Sequence, residues 1–281
     1  MKKERKLSNL LLNNRNKKKA LPAFNVSSFD SINAISRASK ENNLPCIIQF
    51  SEKIISKYKI IYLKNIFDFI KKYHKSEIFL HLDHCKDIKI IRKCIDSGFD
   101  MVMFDGSNLP IEQNITFTKE VLKYAHSKNI CLEAEIGGIG GQEDGFESCG
   151  NYALKEDIEK MCSEANMDCL AIGFGNIHGN YNSKSSLNWS ILEYAYEVTS
   201  TPLVLHGGTG LTDDEFIKAI NFGCSKINLS TVLKNAYQET LEYCWKDKNF
   251  KDDPSIFHTY LDSKIFNIAS EYLIKFNENK I

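Results

Sequence analysis

The fold this sequence predicts is an α/β one, a (β/α)8 or TIM barrel with extra helices at its N- and C-terminal ends. Three observations predict it. Eight short β-prone runs alternate with longer stretches of helical spacing, which is the signature of parallel βαβ units. The length of 281 residues suits one barrel, so the whole chain 1–281 reads as a single domain. The residue that closes each run is polar, as expected where a barrel builds its active site. Alternation by itself does not show closure, and a doubly wound open sheet is the competing arrangement.

The runs are Pro22–Val26, Pro45–Phe50, Glu77–Leu82, Phe99–Phe104, Ile130–Ile136, Asp168–Phe174, Thr201–Leu205 and Cys224–Leu229. Between them Ile88, Ile91 and Ile95, or Ile115, Val121, Leu122 and Ala125, fall on single helical faces. Ahead of the first run, residues 1 to 20 carry an apolar patch at Leu7, Leu10, Leu11 and Leu12. Arg15, Lys17, Lys18 and Lys19 follow it and suit a helix C-terminus, where cations complement the dipole. Trp245 to Ile281 reads as extra helix packed on the barrel or on a partner subunit.

Charge excludes little and suggests less. Lys plus Arg and Asp plus Glu number 36 each, which gives no reason to expect nucleic acid or a membrane surface as partner. No apolar run approaches a membrane span. The nine cysteines form no C-x-x-C pair, and read as reduced thiols of a cytoplasmic protein.

The strand ends carry the chemistry. They are Asn25, Ser51, Asp83 with His84, Asp105, Glu135, His178, His206 and Asn228. Three of the seven histidines belong to this set, and three His ligands with a fourth open position make a catalytic rather than a structural zinc site. The plainer alternative for each histidine is a satisfied core or surface residue. His81, two residues before Asp83, points the same way along its strand and reads as support rather than ligand. His74, His126 and His258 read as surface residues.

Two glycine- and hydroxyl-bearing segments suggest a phosphorylated substrate. Gly207-Gly208-Thr209-Gly210 precedes a helix start at Thr212 with Glu215 three residues on, and Asn228-Leu229-Ser230-Thr231 opens the last barrel helix. Anion sites after the last two strands recur in such barrels, although each run alone is equally a tight turn. A third glycine-rich stretch, Ile136 to Gly145, reads as a mobile loop carrying Glu143 and Asp144, between which physics does not choose.

Seven segments together resemble the class II, zinc-dependent ketose-bisphosphate aldolases. They are Ala23–Val26, His81–Cys85, Val102–Ser107, Glu135 with Gly140–Asp144, Phe174–Gly179, Leu205–Gly210 and Lys226–Asn228, in family order over about residues 5 to 240. The resemblance implies reversible cleavage of a phosphorylated ketose, such as fructose or tagatose 1,6-bisphosphate, to dihydroxyacetone phosphate and an aldehyde through a metal-stabilised ene-diolate. It implies zinc on His84, His178 and His206, with Asp105 and Glu135 supporting or alternately binding the ion. Asp83 becomes the acid/base at the C4 hydroxyl, Glu143 the proton carrier at C3, and Asn228 a further catalytic group. Phosphate contacts fall to Ser51, Gly179, Gly207, Gly208, Thr209, Asn228, Ser230 and Thr231, with Asn25 beside the substrate. A sodium or potassium ion near the Gly179 and Gly207 carbonyls and a homodimer or homotetramer are also family habits.

Departures bear on the substrate. Tyr181-Asn182 stands where the family often has Tyr-Lys, with Lys184 displaced by two, and Asp253-Pro254-Ser255 replaces Asp-Pro-Arg. Glu52-Lys53 follows Ser51 in place of small residues. These changes spare the metal and proton-transfer set but leave the distal phosphate without its arginine. A ketose phosphate lacking that phosphate, such as a deoxy-ketogluconate phosphate, is the alternative substrate. A metal-dependent barrel hydrolase using Asp83 as base, and a non-catalytic binding protein, are the other classes. A Schiff-base aldolase would need a buried strand-end lysine, for which Lys226 is the one candidate.

Overall fold

The computed structural model describes residues 5–143, 146–148, 150–178, 187–246, 250 and 253–278, without side chains at 142, 143, 146–148 and 178. In chain order the elements begin with α1 (Lys6–Lys17), β1 (Leu21–Asn25), α2 (Phe29–Asn42), β2 (Cys46–Ser51), α3 (Glu52–Lys57) and α4 (Ile60–His74). There follow β3 (Ile78–Cys85), α5 (Ile88–Asp96), β4 (Met101–Phe104), α6 (Ile111–Ser127), β5 (Cys131–Ile136), β6 (Gly140–Glu143) and β7 (Phe146–Ser148). Then come α7 (Lys155–Glu164), β8 (Cys169–Ile172), β9 (Ile177–His178), α8 (Trp189–Val198), β10 (Leu203–Leu205) and α9 (Asp213–Asn221). The chain closes with β11 (Cys224–Leu229), α10 (Thr231–Lys246) and α11 (Ser255–Glu278).

Eight parallel strands close in the order β1-β11-β10-β8-β5-β4-β3-β2, so the barrel is chosen over the open sheet. Each coincides with one of the eight runs, with ends shifted by at most three residues. Outward-facing side chains such as Phe24, Ile48, Leu80 and Leu132 pack beneath the helices, and the alternate residues face the barrel axis.

The axis is apolar at one end and polar at the other. Leu21, Ile47, Phe79, Met101 and Val204 fill the N-terminal end, and α1 closes it with Leu7 and Leu11. Each of these leucines, fully buried, contributes about 1.5–3 kcal/mol. Arg15 does more than complement its own helix dipole. Its guanidinium donates to the carbonyls of Tyr196, Thr199 and Thr201, and so serves the C-terminal end of α8. At the same end of the barrel Asp168 accepts hydrogen bonds from Ser8, His126 and the Leu132 amide and pairs with Arg5. His126 is therefore half-buried and partnered, not a plain surface residue; His74 is likewise half-buried against Asn33, and His258 is exposed as expected.

The two C-terminal helices are as the sequence suggests. α11 buries Leu261, Ile265, Ala269, Leu273 and Phe276 against α2 and α10. Thr212 and Glu215 form the expected capping box of α9.

The glycine-rich stretch after β5 differs from a simple loop. β6 and β7 pair as an antiparallel hairpin, and β6 also pairs with β9, placing Gly141 opposite His178. Glycines permit this crossing, since a Cβ on Gly150 would lie 2.4 Å from the Gly140 amide nitrogen.

Candidate active site

Neighbouring residues on a strand normally face opposite ways, so Asp83 and His84 cannot both enter the barrel mouth from a regular strand. The structure solves this locally. The β3–β4 register slips between Leu82 and Cys85, and His84 takes a left-handed backbone with φ of 45°. For a residue with a Cβ such a conformation costs about 1 kcal/mol or more and persists where the surroundings enforce it. Both side chains then reach one site.

Asp83 is 1% exposed and fully engaged. Asn25 Nδ2 donates to one carboxylate oxygen at 2.7 Å and Asn228 Nδ2 to the other at 3.1 Å. Gln49 Nε2 donates to Asn25 Oδ1 at 2.6 Å, and Lys226 Nζ to Asn228 Oδ1 at 2.7 Å, so both amides have their orientation fixed. Lys226 also forms a buried ion pair with Glu133 at 2.9 Å. A lysine committed in this way stands inside the barrel as a counter-ion, which removes it as a Schiff-base candidate.

Beside Asp83 lies a group of metal-competent side chains. His84 Nδ1 lies 3.3 Å from Asp105 Oδ2 and 3.6 Å from Glu135 Oε2. His84 Nε2 lies 2.7 Å from His206 Nδ1, the rings meeting edge to face. His206 Nε2 donates to Glu133 Oε1 at 2.8 Å, a carboxylate contact that fixes the tautomer and leaves Nδ1 as the lone pair facing the site. Asparagine 176 steadies the same histidine from behind, with Asn176 Nδ2 donating to the His206 carbonyl.

Electrostatics agree with a cation site. Burial, reinforced by Asp105, pushes the Glu135 carboxyl well above its usual range. Burial also works to raise Asp105, but the hydrogen bonds and charge of His84, with Ser107 hydroxyl on the other oxygen, hold it below the usual range. Glu135 Oε2 is buried without a hydrogen-bond partner among the described residues, while two imidazole nitrogens lie within 3.9 Å of it. Nitrogen and carboxylate lone pairs converging with an orphaned oxygen fit a divalent ion of the zinc type.

His81, expected as support for Asp83, lies behind it with Glu133. Fully buried, its Nε2 lies 3.8 Å from Asp83 and 3.6 Å from Glu133. Burial and the nearby Lys226 ammonium hold the imidazole well below its usual pKa, hence neutral.

The other predicted residues fall around this mouth. Ser51 ends β2 opposite Asp83 in register and precedes α3 without capping it. Gly207 has φ of 67°, and a Cβ there would lie 2.1 Å from the Ile177 carbonyl oxygen, so glycine is required. Gly208 donates to the Asn228 carbonyl and Thr209 Oγ1 accepts from the Val232 amide, which brings both expected phosphate segments together at the start of α10 beside Ser230 and Thr231. His178 is not at a barrel strand end. β8 stops at Ile172, and His178 sits six residues on, in β9. The side chains of His178 and Glu143 lie outside the described residues, as do Asp144, Gly179, Tyr181, Asn182 and Lys184 entirely.

Sequence reasoning missed Glu133, Gln49 and Asn176. Glu133 was readable, since it stands two residues before Glu135 and a strand puts both on one face. The pairings of Gln49 and Asn176 are long-range and had no local signal.

Comparisons with known proteins give the family. The family model described as fructose-bisphosphate aldolase class-II matches residues 5–280. The 6-phospho-5-dehydro-2-deoxy-D-gluconate aldolase of Bacillus licheniformis is 34% identical over 244 residues, 85% of this chain and 83% of its own. The fructose-bisphosphate aldolase of Ureaplasma parvum is 38% identical over 228 residues, 79% of this chain and 78% of its own. The crystal structure of the YdjI aldolase from Escherichia coli K12 shares the fold, with a TM-score of 0.84 at 23% identity, covering 98% of this chain and 97% of that one. An eight-stranded barrel, a carboxylate and imidazole cluster at its mouth and a family match across nearly its whole length establish that this chain belongs to the class II fructose-bisphosphate aldolases, and is a carbon–carbon lyase.

Proposed function

We propose that this aldolase reversibly cleaves the C3–C4 bond of a phosphorylated ketose to dihydroxyacetone phosphate and an aldehyde, and that it depends on zinc. The observation that carries the reading is Asp83, buried, held at both oxygens by asparagine amides and adjoining the His84, His206, Asp105 and Glu135 group. With both lone-pair directions of the carboxylate set by Asn25 and Asn228, Asp83 is pre-oriented to take one proton at a fixed point. In cleavage it accepts the C4 hydroxyl proton as the C3–C4 bond breaks, and it returns that proton in condensation. Glu143, carried by the β6 strand that pairs with β9, reprotonates C3. Zinc would be held by His84, His178 and His206, with Asp105 and Glu135 beside them, and supplies Lewis-acid stabilisation of the negative charge that develops on the substrate.

The substrate's C1 phosphate is assigned to Gly179, Gly207, Gly208, Thr209 and Thr231, with Asn228 and Ser230 towards the sugar, Asn25 beside Asp83 and Ser51 further out. A sodium or potassium ion near Gly207 belongs to the same proposal. Relatives named for both fructose bisphosphate and a deoxy-ketogluconate phosphate support two substrate types, one with a distal phosphate and one without. The hydrolase gains no support from the relatives, which are named as aldolases.

A homo-oligomer is supported by the exposed apolar and aromatic side chains Ile61, Tyr62, Phe69 and Tyr73 on α4, which a second copy would cover. Sedimentation as a monomer at micromolar concentration would contradict it. None of the eight described cysteines is joined in a disulfide, which supports a reducing, cytoplasmic setting.

The test of the assignment is Asp83→Ala. Cleavage should fall by about 10²–10⁴-fold, the usual worth of a placed acid/base, with zinc content unchanged. A rate within a few fold of the parent would remove Asp83 from the role.

A further inference from the structure

His178 and His206 belong to different sheets. His206 follows β10 of the barrel, whereas β9, only Ile177–His178, pairs with β6 in the separate sheet β7-β6-β9. Gly173 to Asn176 join β8 to β9 without regular structure, and Gly175 takes φ of 96° on the way. Among the described residues no strand ladder sets the distance from β9 to the end of β10.

Asn176 bridges that gap. It is 1% exposed, and both ends of its side-chain amide are used. Nδ2 donates to the His206 carbonyl at 2.9 Å, and Oδ1 accepts from the Phe174 amide at 3.0 Å. One partner is a carbonyl and the other an N–H, so a single orientation of the amide satisfies both. Phe174 is wholly buried with its ring 5.6 Å from that of Trp189, which anchors the near end of the bridge. The Asn176 carbonyl in turn accepts from the amide of Gly140, the first residue of β6, at 3.3 Å. Three residues further along, the same strand carries Glu143. One buried asparagine therefore holds the backbone of the β8–β9 turn, of His206 and of β6.

We infer that Asn176 is a positioning residue for both halves of the reaction. It sets the spacing of β9 and His206, between which the ion is held, and it keeps β6 in register with them so that Glu143 meets C3. This rests on the aldolase reading above, and extends it to a side chain committed wholly to backbone groups.

The experiment compares the parent with Asn176→Ala, Asn176→Asp and, as a control, Ser36→Ala, which breaks the buried Ser36–Ser76 hydrogen bond away from the barrel mouth. Two quantities are read on folded protein. One is zinc affinity by competition with a chromogenic chelator. The other is hydrogen exchange from solvent into dihydroxyacetone phosphate, without aldehyde and with zinc saturating. Asn176→Asp keeps the shape and the acceptor for the Phe174 amide but, ionised, has no donor for the His206 carbonyl. Its added negative charge would by itself draw zinc in, so a loss of affinity there reports the broken bridge. Zinc affinity should fall about 10- to 100-fold in both Asn176 variants, the usual effect of losing a group that orients a metal ligand. Exchange should fall by up to about 100-fold even with zinc bound, as expected for a misplaced proton carrier. Ser36→Ala should melt earlier and keep both parental values. Affinity within about twofold of the parent in a folded Asn176 variant, or unchanged exchange with zinc saturating, overturns the inference. A parent enzyme that binds zinc but exchanges no hydrogen refutes the aldolase reading instead, and the affinities still decide the role of Asn176.

Discussion

Replacing Lys226 by methionine should destabilise the barrel strongly and disturb Asp83 at a distance. Lys226 and Glu133 are both wholly buried and 2.9 Å apart. At an effective dielectric of about 20, two unit charges at that separation attract by about 6 kcal/mol, most of it offset by the desolvation of each ion. Removing one partner keeps the desolvation of the other and loses the attraction, so Lys226→Met should cost about 3–5 kcal/mol. The loss also frees Asn228 Oδ1 from its donor, so the amide that orients Asp83 is no longer fixed. The assay is urea unfolding of the parent, Lys226→Met, Glu133→Gln and the double variant. The double variant should recover much of the single-site loss, because it no longer buries a lone charge. Cleavage by Lys226→Met should fall even under conditions where the variant is fully folded. A single variant within about 1 kcal/mol of the parent, with no coupling in the cycle, would refute the pairing and the reasoning built on it.

Three further outcomes are expected. Borohydride added with substrate should leave the enzyme active, because Lys226 is a counter-ion to Glu133 and no imine forms; covalent trapping would contradict this. Gly207→Ala places a Cβ against the Ile177 carbonyl at positive φ, so its cost should exceed about 1 kcal/mol and its KM for ketose phosphate should rise. Asp168→Asn should lower stability at neutral pH by about 2–3 kcal/mol, the worth of a charge-assisted hydrogen bond at a buried carboxylate. Burial opposes ionisation of Asp168, yet His126, Ser8 and the Leu132 amide hold its pKa below the ordinary aspartate value of 3.8. Its contribution is therefore complete above pH 3.8 and is lost as pH falls through the lower folded value, and the gap between parent and variant should close on acidification below pH 3.8. A gap independent of pH would mean that the ionised form is not what is held.

Much of the architecture was legible because its signals are local. Eight β-prone runs and their polar ends follow from hydrophobic patterning within a few residues. Asp83 and His84 were legible as a pair, but the means by which both enter the site was not, since a register slip and a left-handed histidine carry no sequence mark. The apolar run to Phe174 puts His178 near a strand end; the strand in fact stops at Ile172, and the chain goes on to build β9 against β6. That pairing joins residues about 37 apart, beyond any local window. The Glu133–Lys226 pair and the Arg15 contacts with α8 were hidden for the same reason. Leu7 and Leu11 showed an apolar helix face, whereas its target, the open end of a barrel, exists only once the barrel has closed.

The central claim is tested most directly by a coupled assay for dihydroxyacetone phosphate over ketose mono- and bisphosphates, run on metal-stripped enzyme with and without added zinc. The account predicts release from at least one ketose phosphate, abolished by chelator and restored by zinc. Release that persists undiminished after the metal has been removed, or none from any of these sugars with zinc bound, would contradict it.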